Sequence, residues 1–121
     1  RGKDFMDSLA SPSIYYGPQT IEVTRDFLKQ MKCKQKISII KKGRVKIKHD
    51  WLVLSCGKEK EVVRITHQQV KPLKDFTNDD ALKGGFISLA ELHSEFTKHY
   101  PSLKQHHLCS MIEFDYPHQF R

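Results

Sequence analysis

Between Lys34 and Trp51 the chain reads KQKISIIKKGRVKIKHDW, with seven lysines or arginines, one aspartate and an apolar residue at nearly every other position. From Phe27 through His49 nine basic residues accumulate without a single acidic one. A solvated face normally interleaves both signs to limit self-repulsion. One-sided charge concentrates positive potential instead, and a phosphate backbone responds to it by releasing counterions. Lys34, Lys36, Lys41, Lys42, Arg44, Lys46 and Lys48 are therefore candidate phosphate contacts, and Arg64, Lys71 and Lys74 can extend the strip. Flat side chains near such a strip can stack unpaired bases. Trp51, Tyr100 and, from the N-terminal segment, Tyr15 and Tyr16 are the candidates. Burial in a core is the competing reading for Trp51.

Composition agrees with this chemistry without demanding it. The 121 residues carry a formal net charge of +7, which favours a polyanionic partner and fits one domain with its own core. Cys33, Cys56 and Cys109 are odd in number and widely spaced, so free thiols in a reducing intracellular compartment, nuclear or cytoplasmic, are expected. His106, His107 and Cys109 are the nearest approach to a metal set, but adjacent histidines point in different directions; no metal and no cofactor are expected. No apolar run reaches the ~20 residues of a membrane span. The chain begins without Met and is read as a soluble, monomeric domain that could be excised from a larger protein.

Several elements must position these residues. Residues 1–19, rich in Gly, Ser and Pro, read as an extension lying over the surface, and residues 20–121 as the domain. Thr24 can cap a helix running to about Cys33. KISII, RVKIKH, WLVLSC and EVVRIT read as strands, with Val45 and Ile47 inward and Arg44, Lys46 and Lys48 outward. TNDDALKGG reads as a short helix ended by Gly84 and Gly85, and SLAELHSEFTKHYP as a helix opened by a Ser88–Glu91 capping box. LCSMIEFDY closes the chain as a strand. The order predicts an α+β domain built on a small β-barrel with flanking helices. Ile37, Ile39, Val45, Ile47, Leu52, Leu54, Val63, Ile65, Leu92, Phe96, Ile112 and Phe114 are expected to share one core.

The C-terminal half resembles the ASCH domain family of the PUA-like superfamily through Phe76-Thr77, Leu89-Ala90-Glu91-Leu92, Tyr100-Pro101 and Met111-Ile112-Glu113-Phe114. His49-Asp50-Trp51-Leu52 resembles that family's G-D-x-L strand, so the likeness spans about residues 20–116. It implies a small barrel with helices flanking a cleft, RNA binding, and in some bacterial members hydrolysis of RNA or a modified nucleoside. The enzymes of the family carry a strand motif like G-R-K-T-x-T-x-R and a glutamate ahead of the L-x-E-L helix. Here the corresponding strand is Lys34 to Lys41, with Cys33 for the glycine, Ser38 for the threonine, and Ile40 or Lys41 for the arginine. Lys36 and Ser38 are thus the implied catalytic pair, and a lysine beside a hydroxyl can activate a nucleophile if a carboxylate moves the proton. The glutamate's place is taken by Gly84-Gly85, leaving Asp79 or Asp80 as substitutes, unless those are simply favourable charges at a helix start. The reading reached is RNA binding through a basic cleft without catalysis. A hydrolase acting on RNA or a modified nucleoside, and a module for an acidic protein partner, are the alternatives.

Overall fold

The structure is a computed structural model that describes residues 19–116. Thr24 has extended backbone, and its hydroxyl accepts a hydrogen bond from the Phe27 amide, so helix α1 (Arg25–Lys32) starts where its cap predicts. Leu28 and Met31 are its buried side. At its far end Lys32 holds both Glu59 and Glu61, at 2.6 and 3.0 Å.

Five strands follow the order β1-β3-β4-β5-β2: β1 (Gln19–Glu22), β2 (Ser38–Lys42), β3 (Trp51–Cys56), β4 (Glu59–Pro72) and β5 (Leu108–Asp115). β1 pairs with β3 in parallel and every other pair is antiparallel, giving a curled mixed sheet that forms a half-barrel. The sequence does not predict β1, whose four residues carry too little alternation to stand out; β3 supplies its register, Ile21 opposite Leu54. β4 extends beyond EVVRIT because β5 pairs with it through Pro72, past a register shift between Ile65 and His67 that bends the strand.

The predicted strand RVKIKH is absent. Residues 44–48 lie in no ladder, and side chains take backbone hydrogen bonds that a partner strand would take. The Val45 amide donates to Ser110 Oγ at 2.7 Å, and the Ile47 amide donates to Gln68 Oε1 at 2.8 Å. Gln68 Nε2 returns a bond to the Ile47 carbonyl at 2.9 Å, and the Lys48 amide reaches Gln19 Oε1 at 2.8 Å. The predicted facing survives: Ile47 is buried, Val45 half-buried, and Arg44, Lys46 and Lys48 exposed.

In place of one core there are two, on opposite faces of β5. Ile112 and Phe114 join Leu28, Met31, Ile39, Ile47, Leu52, Leu54 and Val63 inside the half-barrel. Cys109 and Met111 point the other way, against Leu73, Phe76, Ala81, Leu92 and Phe96. Leu92 and Phe96 thus belong to the second cluster, and Ile37 leaves the core with 37% exposure. Helices α2 (Asn78–Lys83) and α3 (Leu89–His99), with a 3-10 turn at Leu73–Asp75, cover that second face. Ser88 caps α3, but the Glu91 carboxylate accepts from the Ile87 amide at 2.7 Å rather than closing the box on Ser88.

Thr77 and Asp80 form the capping box of α2, and Asp80 also takes the Lys71 ammonium at 2.6 Å. Burial alone would push the Asp80 carboxyl up, but the bonds from Lys71 and the Thr77 amide hold it below its usual range. A folded pKa below the unfolded ~3.9 means stabilisation fully present above ~pH 5 and lost as pH falls through the folded value. D80A is therefore expected to cost about 3 kcal/mol at pH 7 by stranding Lys71, and the gap to wild type should narrow below ~pH 4 in denaturant melts. A gap constant with pH would remove the charge pair as its cause.

Candidate functional site

Where the end of β1, the start of α1, strand β2, the 84–86 loop and α3 meet, they enclose a cleft of about 350 Å³. Ser38, at the start of β2, and Lys36, two residues ahead of it, line the cleft. Ser38 is 0% exposed, and its Oγ has no hydrogen-bond partner. A buried hydroxyl without a partner forfeits hydration with no return, so it is a position where a ligand's polar atom gains a bond.

Lys36 has its ammonium bonded to the Gly84 carbonyl and 5.1 Å from the ring centroids of both Phe27 and Phe86. Burial pushes its pKa down, and the negative charges of Asp26 and Glu91 partly oppose that. Gly85 takes φ +87°, and a Cβ there would stand 3.0 Å from Lys36 Nζ. Gly85 is thus what makes room for Lys36, and the neutral Gly84 carbonyl meets the ammonium where the resemblance implies a carboxylate.

A second cleft, of about 780 Å³, adjoins the first through His99 and Tyr100, which line both. Lys42 and Arg44 line it together with His107 and the loop from Pro101 to Leu103, and Lys42 Nζ sits 4.9 Å from the Tyr100 ring centroid. Arg44 continues into a third hollow of about 390 Å³ with Lys46 and Gln68. Charge divides between these spaces. The first cleft holds Lys36 but also Glu22 and Glu95; the second is lined by cations and histidines and by no carboxylate. Lys36 and Ser38 line the first of these spaces, and Lys42 and Arg44 the second.

Of the predicted contacts, Lys36, Lys42, Arg44, Lys46 and Tyr100 are brought together along this path. Lys34, Lys48 and Lys74 are exposed and Lys41 half-buried, outside the linings of the three hollows. Trp51 is half-buried on β3 opposite Arg64, whose guanidinium meets Asp115 at 3.5 Å. Lys71 is consumed by Asp80 and the Phe76 ring, so neither Lys71 nor Asp80 faces the Lys36 cleft, and Asp79 lies 3.6 Å from Lys83. Tyr15 and Tyr16 lie outside the described residues. Sequence reasoning missed Phe27, Phe86, Glu95 and His99; only the four-residue spacing of Glu91, Glu95 and His99 could have flagged a common strip of α3.

Among the described residues no group of three His, Cys, Asp or Glu could hold a metal ion. His107 Nδ1 accepts the Lys104 amide at 2.8 Å, which orients its ring. The three cysteines are free, and no described helix is long and apolar enough to cross a membrane.

No protein-family model and no curated protein sequence matches the chain. Similar solved structures include the following two. An ASCH domain from Lactobacillus crispatus JV V101 superposes with a TM-score of 0.61 at 16% identity, over 80% of this chain and 77% of that one. A DUF984 protein from Enterococcus faecalis V583 gives 0.58 at 13%, over 74% and 69%. At such identities the likeness is one of fold.

Proposed function

Starting from an ASCH-domain fold, we propose that this protein binds single-stranded nucleic acid, and RNA in particular, with a base in the Lys36–Ser38 cleft and the adjoining phosphates on Lys42, Arg44 and Lys46. The observation that carries it is the shared wall: Tyr100 and His99 separate a ring-lined cleft with an unsatisfied hydroxyl from a cleft lined by cations and no carboxylate. Bases need apolar faces and a few polar atoms, whereas phosphates need charge. The two requirements are met side by side, in clefts that share His99 and Tyr100. Free cysteines suit a reducing compartment, nucleus or cytoplasm, where such ligands are found.

Salt dependence tests this. Three phosphate contacts should give a log–log slope of affinity against salt near −2 for a single strand, at about −0.7 per contact. Fluorescence anisotropy with a labelled oligoribonucleotide at several salt concentrations reads it directly. A slope near zero would leave the basic run as surface charge, and equal binding of the deoxy strand would remove the preference for RNA.

A second reading draws on one specific feature. Lys36, its pKa lowered by burial, shares the cleft with the unpartnered Ser38 hydroxyl, a pair that a hydrolase could use. Turnover of RNA or an acylated nucleoside that K36A abolishes, with the fold intact, would establish it in place of simple binding.

A further inference from the structure

We infer that the Lys36–Ser38 cleft selects guanine among the four RNA bases, an inference that rests on the RNA reading above. It follows from how donors and acceptors are distributed along α3. Glu91, Glu95 and His99 recur every four residues, so they occupy one strip of the helix, each about 6 Å beyond the last. Glu91 lies at the Lys36 end, where its charge and that of Asp26 act on the ammonium. His99 lies at the wall shared with the second cleft, 3.6 Å from Glu95. Glu95 therefore lines the cleft one turn along α3 from Glu91.

The two ends differ in chemistry. At one, the Lys36 ammonium has given one N–H to the Gly84 carbonyl and keeps two, and Ser38 Oγ is unbonded. This end donates. At the other, an ionised Glu95 can only accept, through two oxygens. Guanine has N7 and O6 as two adjacent acceptors on one edge, and N1–H and N2–H as two adjacent donors on another. The donors match a carboxylate in bidentate fashion, and the acceptors match the lysine and serine. The other bases do not offer this. Adenine and cytosine set a ring-nitrogen lone pair beside their exocyclic amine, which would face a carboxylate oxygen, and uracil flanks its single N3–H with two carbonyls. Phe27 and Phe86 supply the apolar surface for the ring. The chain then leaves past Tyr100 towards Lys42 and Arg44.

Four short single-stranded RNAs differing only in the central base test this by anisotropy against the intact protein. The guanine strand should bind roughly tenfold tighter or more, the discrimination of one good bidentate pair. Inosine, lacking the N2 amine, should lose much of that advantage. E95Q should bring the four strands to within about twofold of one another, because its amide nitrogen repels one of the two donors. S38A should narrow the preference in part. Melting of both variants checks that they fold. Equal, salt-sensitive binding of all four strands by wild type overturns the guanine assignment while leaving RNA binding in place. Preference for another base, or a guanine preference unchanged in E95Q, also overturns it. Binding of none of the four overturns both readings.

Discussion

The triple variant K42E/R44E/K46E is expected to bind single-stranded RNA about a hundredfold more weakly or worse, since each change removes a phosphate contact and adds repulsion at the same place. Lys42 and Arg44 line the carboxylate-free cleft and Lys46 the hollow next to it, so all three act on one stretch of backbone. Stability should barely move, because all three side chains are exposed and their segment is held through the Val45 and Ile47 backbone. The one packing loss is the Lys42–Tyr100 contact, worth about 0.5–1 kcal/mol at an exposed site. Anisotropy at fixed salt beside thermal melting separates the effects. Unaltered affinity would show that the nucleic acid, if bound, lies elsewhere. K34E/K48E/K74E, with exposed lysines outside the hollows, is the matched control and should lose far less.

F114A and F96A are each expected to destabilise by ~3–5 kcal/mol, as truncation of a packed aromatic does. Phe114, 4% exposed, meets the Phe27 ring at 6.4 Å inside the half-barrel, and Phe96, 7% exposed, meets Tyr100 edge-on at 5.9 Å. The residues sit in separate clusters on opposite faces of β5, so their losses should add in the double variant to within about 0.5 kcal/mol. They should differ in function. Phe96 lines the Lys36 cleft and supports Tyr100, so F96A should also weaken RNA binding at temperatures where it remains folded. Urea titration of the single and double variants reads the additivity, and wild-type-like unfolding of either would contradict the two-cluster core.

Much of this was legible from local rules. Thr24, Thr77 and Ser88 announce their helices by type, and β3 and β5 by apolar runs that need no partner to be recognised. What escaped depends on residues distant in sequence. β1 exists because Leu52 to Ser55 pair with it, and the ladder expected for residues 44–48 is pre-empted by Ser110 and Gln68. A single core was expected because alternation says that two faces differ, without saying that helices will cover the second. At the site, Lys36 and Ser38 are named through the resemblance of their strand; its alternation expects Ile37 inside and Ser38 outside, and the fold buries Ser38 and exposes Ile37. The place of Asp80 could not be read, since a carboxylate's choice between cleft and lysine is settled by the fold that brings Lys71 to it. The cleft itself is assembled from four separated stretches of chain, and that convergence leaves no mark in any one of them.

The fastening of residues 44–48 sets how the cation-bearing strap can behave. A strand zipped into a sheet leaves only by breaking a cooperative seam, but this strap is secured by a few discrete latches, chiefly the Gln68 amide and the Ser110 hydroxyl. At about 1 kcal/mol net for each such bond and ~1.5–3 kcal/mol for burial of the Ile47 side chain, the strap is held by several kcal/mol without any place in the five-stranded ladder. Arg44 and Lys46 thus ride on a strut fastened by side chains and by the buried Ile47, whereas the Lys36 cleft is walled by β2 and α3.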